Sequence, residues 1–245
     1  MTRIQTDLSQ AAFDFCPVLG ELLRSQKLVG KSGRIYRELD ALSTINNLHA
    51  IHALMLKTRA VRTLEIGLSF GGSALVFCAT HKELGHLPAG QHTALDPFQT
   101  TVWDSCGLMA VEQADLTGYL DYRQAYSALE LPKLVESGTQ FDLAYVDGSH
   151  LFEDVFVDAY FVTRLLAEGG VVAFDDSSNP HIAKVLQFLR TSNRGALEEL
   201  DLSCYRKDDN RLIYRVARRL GKVQLTAFRR ISSIEREWNA AFNRF

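Results

Sequence analysis

The chain has 245 residues, of which 47% are hydrophobic and 23% are charged, and its formal net charge is −2. This length suffices for one well-buried α/β domain, and the near-neutral charge predicts no general attraction to nucleic acid or anionic membranes. There is no apolar run near the ~18 residues of a membrane span, no signal-peptide pattern, and no metal-binding or disulfide spacing among the four cysteines. We therefore expect a cytoplasmic protein with reduced thiols that binds neither nucleic acid nor membrane.

The order of predicted elements indicates an α/β fold. Residues 1–58 show the helical period and predict an N-terminal helical cap. Short, uniformly apolar runs then alternate with helical segments, which is typical of βαβ units in a parallel sheet covered on both faces. Two strand-like runs within residues 197–217 predict an antiparallel edge pair. We expect a single domain over residues 1–245, with a cofactor-binding core at 59–218 and a C-terminal helical tail at 219–245.

The stretch LEIGLSFGGS is the strongest local signal. A strand containing Glu65 runs into Gly67, and Gly71 and Ser73 follow at the start of a helix. Glycines allow a sharp turn and a close ligand approach, and the new helix end offers free N–H groups. Ser69 breaks the G-x-G-x-x-G spacing of dinucleotide-binding loops, so a different nucleotide-like cofactor is favoured. The alternative is a tight turn that binds nothing.

The next predicted strand ends in Asp96, followed by Pro97 and Phe98. An acidic residue at this place accepts hydrogen bonds from both ribose hydroxyls in nucleotide-binding sheets. The alternative for Asp96 is a turn or helix-capping role.

The motifs LEIGLSFGGS, LDPF, FDLAYVDGSH and LLAEGGVVAFDD occur in an order that resembles class I S-adenosylmethionine-dependent methyltransferases. The resemblance covers roughly residues 40–218. It is strongest to the small-molecule O-methyltransferase branch, which includes catechol-, caffeoyl-CoA- and macrolide-sugar-type enzymes. It implies a Rossmann-like, doubly wound sheet of seven strands, mostly parallel with an antiparallel last strand.

The resemblance also assigns residues to the cofactor S-adenosylmethionine and to a small hydroxylated acceptor. Glu65 and the loop from Gly67 to Gly71 would meet the methionine portion and the ribose, and Asp96 would hold the ribose hydroxyls. Pro97, Phe98 and Ser127 would lie near the adenine. Two departures are Ser69, where glycine is common, and residues 125–127, which lack the usual acidic residue.

Acidic residues end two further predicted strands. Asp147 follows one, and Asp175 and Asp176 follow the next. Carboxyl ends of parallel strands meet at one edge of the sheet, and clustered carboxylates repel one another unless a cation lies among them. Oxygen ligands suit Mg²⁺ or a similar divalent cation, and the resemblance places its metal at the same three residues. The alternatives are that Asp147 caps a helix and that Asp175 and Asp176 form an Asx-turn.

His150 lies three residues beyond Asp147, where several relatives carry a lysine proposed as general base. A neutral imidazole can take the proton of an acceptor hydroxyl near pH 7. A solvated loop histidine is the alternative, and His181 is predicted to be a first-turn helix residue and not a ligand.

We therefore predict an O-methyltransferase of small molecules with divalent-metal assistance, compatible with a homodimer. A nicotinamide-dependent oxidoreductase and a non-catalytic cofactor-binding partner protein are the rival functions. Trp103 is a candidate lid residue, and the C-terminal arginines predict either a solvated face or a patch for an anionic partner.

Overall fold

The computed structural model describes residues 13–205, 223–242 and 244–245. The described residues contain seven α-helices and nine strands. The helices are α1 (Pro17–Ser25), α2 (Ile45–Thr58), α3 (Gly72–Glu83), α4 (Cys106–Gln113), α5 (Ser127–Glu136), α6 (Phe152–Leu165) and α7 (Pro180–Ser192). The strands are β1 (Leu28–Val29), β2 (Ile35–Tyr36), β3 (Thr63–Ile66), β4 (His92–Leu95), β5 (Leu120–Arg123), β6 (Phe141–Val146), β7 (Leu166–Phe174), β8 (Leu197–Leu200) and β9 (Thr226–Arg230).

The chain divides into two compact units, one ending at Tyr126 and the other beginning at Ser127. Strands β3 to β9 form a seven-stranded sheet that is mostly parallel, with antiparallel pairing of the last strands. This confirms the predicted Rossmann-like α/β fold. The single domain over residues 1–245 stays a prediction.

In the first unit the strand order is β5-β4-β3, and all three strands run parallel. Every residue of β3 and β4 is buried, including polar residues of both strands. Helix α3 is buried from Gly72 to His81 and packs against α2. Helix α2 begins where Thr44 accepts a hydrogen bond from the Asn47 amide at 3.3 Å, which satisfies one free N–H of the first turn.

In the second unit the strand order is β6-β7-β9-β8. Strands β6 and β7 are parallel, whereas β9 pairs antiparallel with both β7 and β8. Helix α7 begins at Pro180, and the Asn179 side chain accepts a hydrogen bond from the His181 amide at 3.0 Å. His181 is therefore a first-turn helix residue, as predicted.

The C-terminal prediction needs correction. The segment 219–245 was expected to be helical, but the structure has β9 at Thr226–Arg230. Of the predicted edge pair, the first run forms β8, and the second lies outside the described residues. The partner of β8 is β9, because pairing with a strand far along the chain buries the apolar Ala227 and Phe228.

The N-terminal cap is only partly helical. Helices α1 and α2 were predicted, but the antiparallel hairpin of β1 and β2 lies between them. Residues 1–12 of the predicted cap lie outside the described residues. The cysteines Cys16, Cys78, Cys106 and Cys204 are all free thiols, as predicted. In the described part of the chain, no helix combines the length and apolar character that crossing a membrane requires.

Candidate active site

Three residues of the loop after β3 have a backbone φ in the left-handed region. Gly67 has φ 91°, Ser69 has φ 48° and Gly71 has φ 83°. Glycine adopts these angles without steric cost, whereas Ser69 carries a side chain into them. The Ser69 hydroxyl donates to the Ala41 carbonyl at 3.2 Å, and this bond helps to hold the unusual conformation.

Asp96 holds this loop from β4. Its Oδ2 accepts hydrogen bonds from the backbone amides of Leu68 at 3.2 Å and Ser69 at 2.8 Å, and Oδ1 accepts from the Phe98 amide at 2.7 Å. Asp96 is buried, so charge-assisted bonds of this kind are strong. Asp96 therefore stabilises the turn, as one alternative expected. Its binding of the ribose hydroxyls stays a prediction, and it would use the remaining capacity of Oδ1 to accept hydrogen bonds.

Gln99 is a loop-holding residue that the sequence analysis missed. Its side-chain amide donates to the Ser69 carbonyl at 2.6 Å and to Asp96 Oδ2 at 3.1 Å. Gln99 is fully buried, and its Oε1 has no hydrogen-bond partner. A glutamine three residues after Asp96 has no sequence signature, so only the coordinates reveal it.

Gly71 also allows close packing inside the first unit. A Cβ built on Gly71 would lie 2.8 Å from Gly107 Cα and 2.9 Å from the Gly107 carbonyl oxygen. The missing side chain thus allows helix α4 to approach the loop, and the cofactor role of Gly71 stays a prediction. Beyond Gly71, the helix α3 begins without a side-chain cap, so its first N–H groups, including that of Ser73, remain available to an anion.

Glu65 is the group in the first unit most suited to a cationic ligand. It is fully buried, and neither carboxylate oxygen has a hydrogen-bond partner. Its nearest charge partner is His92, whose Nε2 lies 3.2 Å from Oε1 without the alignment of a hydrogen bond. A buried carboxylate with unused acceptors is costly unless a ligand or proton compensates it.

Two aromatic rings are exposed near the end of β4. Phe98 is 41% exposed and Tyr126 is 57% exposed, and their rings meet edge to face with centroids 5.8 Å apart. Pro97, beside Phe98, is half-buried. Exposed rings at a strand end offer stacking surface for a planar base. The predicted adenine role of Pro97 and Phe98 is compatible with this geometry, and Tyr126 is an additional candidate.

Ser127, the other predicted adenine residue, begins helix α5 and bonds to the Asp158 side chain. Asp158 lies on α6, is buried, and has one oxygen without a partner. Burial, partly offset by the Ser127 hydrogen bond, raises the pKa of Asp158 to about 7.

The second unit contains a cluster of three side chains that could hold a metal ion. Asp147, His150 and Asp176 each offer a ligand atom, and these atoms lie within 4.8 Å of one another. His150 Nε2 lies 3.0 Å from Asp176 Oδ2, and the Gln224 side chain donates to Asp176 Oδ1. Asp176 has φ 46°, a left-handed conformation that re-aims its side chain relative to Asp175.

Asp175 is not part of this cluster, contrary to the predicted triad of Asp147, Asp175 and Asp176. Its Oδ2 accepts from the Tyr145 hydroxyl and its Oδ1 from the Asp176 amide at 2.7 Å, and the residue is buried. Asp175 therefore stabilises the strand end, and the structure brings His150 into its place.

Other candidates have structural roles. Asp147 does not cap α6, whose N-cap is Leu151 without a side-chain hydrogen bond. His181 Nδ1 accepts from the Phe152 amide at 3.1 Å. Trp103 packs edge-on against Phe70, with ring centroids 5.1 Å apart.

The C-terminal basic residues are only partly described, because residues 206–222 lie outside the described chain. Among those that are described, Arg229 lies 3.8 Å from Glu198, which fits a solvated face.

Comparison with solved structures supports this assignment of fold. The O-methyltransferase TomG from Streptomyces achromogenes, involved in tomaymycin synthesis and solved with S-adenosylmethionine, is 14% identical. The match covers 95% of this chain and 90% of that chain, with a TM-score of 0.59. The O-methyltransferase from Bacillus cereus, solved with S-adenosylhomocysteine, is 14% identical over 95% of this chain and 100% of that chain, with a TM-score of 0.62.

A third match is CalS11, a TDP-rhamnose 3′-O-methyltransferase of calicheamicin biosynthesis, at 19% identity and a TM-score of 0.54. It covers 77% of this chain and 80% of that chain. At these identities the likeness establishes the fold alone. Among curated proteins, no sequence matches this chain significantly.

The seven-stranded sheet thus has the Rossmann-like fold of these solved methyltransferases. Residues 64–177 match the family model described as a methyltransferase domain. This stretch contains the loop after β3, Asp96 and the Asp147, His150 and Asp176 cluster.

Proposed function

We propose that this protein is an S-adenosylmethionine-dependent methyltransferase that methylates a hydroxyl group of a small molecule, with His150 as the general base. The observation that carries the proposal is the contact of 3.0 Å between His150 Nε2 and Asp176 Oδ2. His150 is about half exposed, so an acceptor can reach its ring. The hydroxyl specificity is also supported by the three structural relatives, each of which is named as an O-methyltransferase.

The first unit fits S-adenosylmethionine. Glu65 offers two unpartnered carboxylate oxygens to a cation, and the uncapped start of α3 offers N–H groups to a carboxylate. Both charges occur on the methionine portion of the cofactor. Asp96 would meet the ribose, and Pro97 and Phe98 would meet the adenine. When bound, the cofactor would supply a methyl carbon on a positively charged sulfur. The deprotonated hydroxyl would attack that carbon and displace the sulfur.

The role of His150 follows from its partner. Asp176 favours the tautomer with the proton on Nε2, which leaves the lone pair on Nδ1 to accept the hydroxyl proton of the acceptor. The carboxylate then stabilises the imidazolium that forms. Asp147 offers a second carboxylate, with its ligand atom within 4.8 Å of those of His150 and Asp176.

The same cluster also fits a divalent cation, which is the second candidate for its function. Asp147 and Asp176 would supply oxygen ligands and His150 a nitrogen ligand. This mixed set suits Mn²⁺ or Zn²⁺ at least as well as Mg²⁺, whose preferred ligands are all oxygen. A bound cation would lower the pKa of an acceptor hydroxyl. His150 would then be a ligand and not the base.

Binding and turnover can be tested separately. Calorimetry with S-adenosylhomocysteine and with NAD should show binding of the first alone, and binding of NAD alone would favour the oxidoreductase. Turnover is then followed as S-adenosylhomocysteine formation over a panel of phenols, sugars and nucleotide sugars. Binding without any turnover would favour the non-catalytic partner protein.

His150→Gln should lower kcat about 10²–10⁴-fold and change cofactor affinity little, as expected for a general base. The assay is repeated after dialysis against EDTA and after addition of Mg²⁺ or Mn²⁺. Full activity in EDTA supports His150 as base, whereas activity restored only by a cation supports the metal function. Unchanged turnover of His150→Gln in both conditions would overturn the proposal.

A further inference from the structure

A continuous line of buried polar side chains runs from Glu65 to the half-buried His86. His92 Nε2 lies 3.2 Å from Glu65 Oε1, and His92 Nδ1 lies 2.9 Å from Thr63 Oγ1. Thr63 Oγ1 lies 2.9 Å from His81 Nε2, and His81 Nδ1 lies 2.9 Å from His86 Nδ1. We call these five residues the histidine relay. All except His86 are fully buried.

The sheet register creates the inner half of the histidine relay. Strands β3 and β4 pair Thr63 with His92 and Glu65 with Ala94. Residues two apart on a strand share a face, so Thr63, Glu65 and His92 point to the same side of the sheet. Helix α3 supplies His81 and also Phe77, whose ring stacks on His92 with centroids 4.4 Å apart. The stack fixes the His92 ring between its two partners.

His81 is neutral, which restricts where the protons can be. Burial, together with His92 and His86, lowers the pKa of His81 to about 3. One of its ring nitrogens therefore carries a proton and the other accepts one. Because Thr63 has a single hydroxyl proton, the direction of its bond determines the direction of every other bond in the line.

Two arrangements satisfy these bonds. In the inward-loaded arrangement, His92 carries a proton on each ring nitrogen, and its positive charge faces Glu65 across the 3.2 Å contact. His92 Nδ1–H donates to Thr63, Thr63 donates to His81 Nε2, and His81 Nδ1–H donates to His86. In the outward-loaded arrangement these three bonds are reversed. His92 keeps only its Nε2 proton beside an ionised Glu65, Thr63 donates to His92, His81 carries its proton on Nε2, and His86 Nδ1–H donates to His81.

The two arrangements differ by transfer of one proton equivalent along the line. The proton of His92 Nδ1 passes to Thr63, the Thr63 proton to His81 Nε2, and the His81 Nδ1 proton to His86 Nδ1. The proton count is conserved: Glu65–His92 loses one positive charge and His86 gains it. His86 can then release that proton to water.

The surroundings of Glu65 favour the inward-loaded arrangement when no cation is present. Its oxygens lack hydrogen-bond partners, so an ionised carboxylate there is costly unless His92 is also charged. The neighbouring thiol of Cys78, whose pKa is raised by burial and by Glu65, stays neutral and offers no compensation. A cationic ligand beside Glu65 replaces the charge of His92.

We propose that binding of the cationic methyl donor beside Glu65 drives one proton out through the histidine relay to His86. This inference relies on the proposed cofactor function of the first unit. It makes Thr63, His81 and His92 positioning residues that set the charge of Glu65 and do not themselves touch the cofactor.

The tautomer of His81 is the direct test. Long-range ¹H–¹⁵N spectra of ¹⁵N-histidine-labelled protein identify which ring nitrogen carries the proton. In the free protein we expect the proton of His81 on Nδ1, and after saturation with S-adenosylmethionine we expect it on Nε2. Calorimetry in two buffers of different ionisation enthalpy should show release of up to one proton on binding.

Thr63→Val removes the hydroxyl and nearly preserves side-chain volume. In this variant His81 should keep one tautomer with and without S-adenosylmethionine. His52→Gln is the matched control, because His52 also pairs with a glutamate, Glu83 at 2.8 Å, but lies outside the line. It should show the wild-type switch. If Thr63→Val does not fold, the proposal is decided by the wild-type spectra alone, with and without S-adenosylmethionine.

Binding of S-adenosylmethionine with an unchanged His81 tautomer would overturn the relay and leave the proposed function intact. Failure of the wild-type protein to bind S-adenosylmethionine would overturn both. A switch that persists in Thr63→Val would also overturn the relay, since the signal would then bypass Thr63.

Discussion

His150 and Asp176 face one another with Nε2 and Oδ2 3.0 Å apart, although each lies just beyond the end of a different strand, β6 and β7. The parallel pairing of these strands aligns Val146 with Phe174, so the residues that follow them emerge at one edge. The left-handed conformation of Asp176 then turns its carboxylate toward the histidine. The pair is therefore a product of strand register and one unusual backbone angle.

Asp176→Asn should lower kcat about 10²-fold, because an amide neither fixes the His150 tautomer nor stabilises the imidazolium. Cofactor affinity should remain within about twofold of wild type. Steady-state kinetics and calorimetry with S-adenosylhomocysteine measure the two effects. Asp154→Asn is the control, since Asp154 accepts a hydrogen bond from Ser149 in the same loop but lies outside the cluster. Equal kcat values for the two variants would contradict this role of Asp176.

Asp96→Asn should lower both cofactor affinity and stability. Asp96 accepts hydrogen bonds from two backbone amides of the Gly67 loop and from the side chain of Gln99. Hydrogen bonds to a charged group contribute about 1.5–3 kcal/mol each to stability. We expect a loss of about 2 kcal/mol in the free energy of unfolding, measured in urea. Asp121→Asn, at a partly exposed ion pair with Arg123, should cost less than about 1 kcal/mol. A loss of affinity at unchanged stability would mean that Asp96 serves the ribose alone.

Gly71→Ala should destabilise the loop for two reasons, its φ of 83° and its contact with Gly107. Gly85→Ala separates the strain from the overpacking, because Gly85 also has a left-handed φ, 78°, but a Cβ added to it would have no atom within 4 Å. Both variants should lose about 1 kcal/mol to backbone strain, and Gly71→Ala should lose about 1–3 kcal/mol more to overpacking. Thermal and urea unfolding measure the difference. Equal losses would show that helix α4 simply moves away.

Asp158→Asn should reduce the dependence of stability on pH. Burial raises the pKa of Asp158 from its ordinary value of 3.8 to about 7 in the folded protein, so the folded state binds the proton more tightly than the unfolded state. The stability that this provides is fully present below pH 3.8 and is lost as the pH rises to about 7. Relative to wild type, Asp158→Asn should gain stability over this range, by up to about 4 kcal/mol. Glu153→Gln, on the exposed side of the same helix, is the control and should show no such gain.

The strands nearest the candidate site could be predicted from sequence because each contains a short run rich in apolar residues that ends in an acidic or glycine-containing turn. Strands β3, β4, β6 and β7 all lie where those runs predicted them. The hairpin of β1 and β2 was missed because strands of two residues carry no periodic signal. Strand β9 was missed because its position depends on pairing with β7, which local composition does not encode.

Side-chain direction explains the errors at the site. Asp175 and Asp176 are consecutive acids of the same type, and the sequence gives no reason to separate a buried one bonded to Tyr145 from one that faces His150. The loop-holding bonds of Asp96 and Gln99 are likewise invisible before the loop conformation is known. Residue types could be predicted, but their hydrogen-bond partners required coordinates.

The interior position of β9 has a consequence for how the second unit is assembled. Among the described residues, β8 comes before β9 in the chain and pairs with it, and β9 lies between β8 and β7. Until residues 226–230 are in place, the edge of β7 that pairs with β9 is open and β8 lacks this partner. Newly made chains should therefore depend on protection of that edge from other chains, and deletion of residues 226–230 should promote aggregation rather than leave a smaller folded protein.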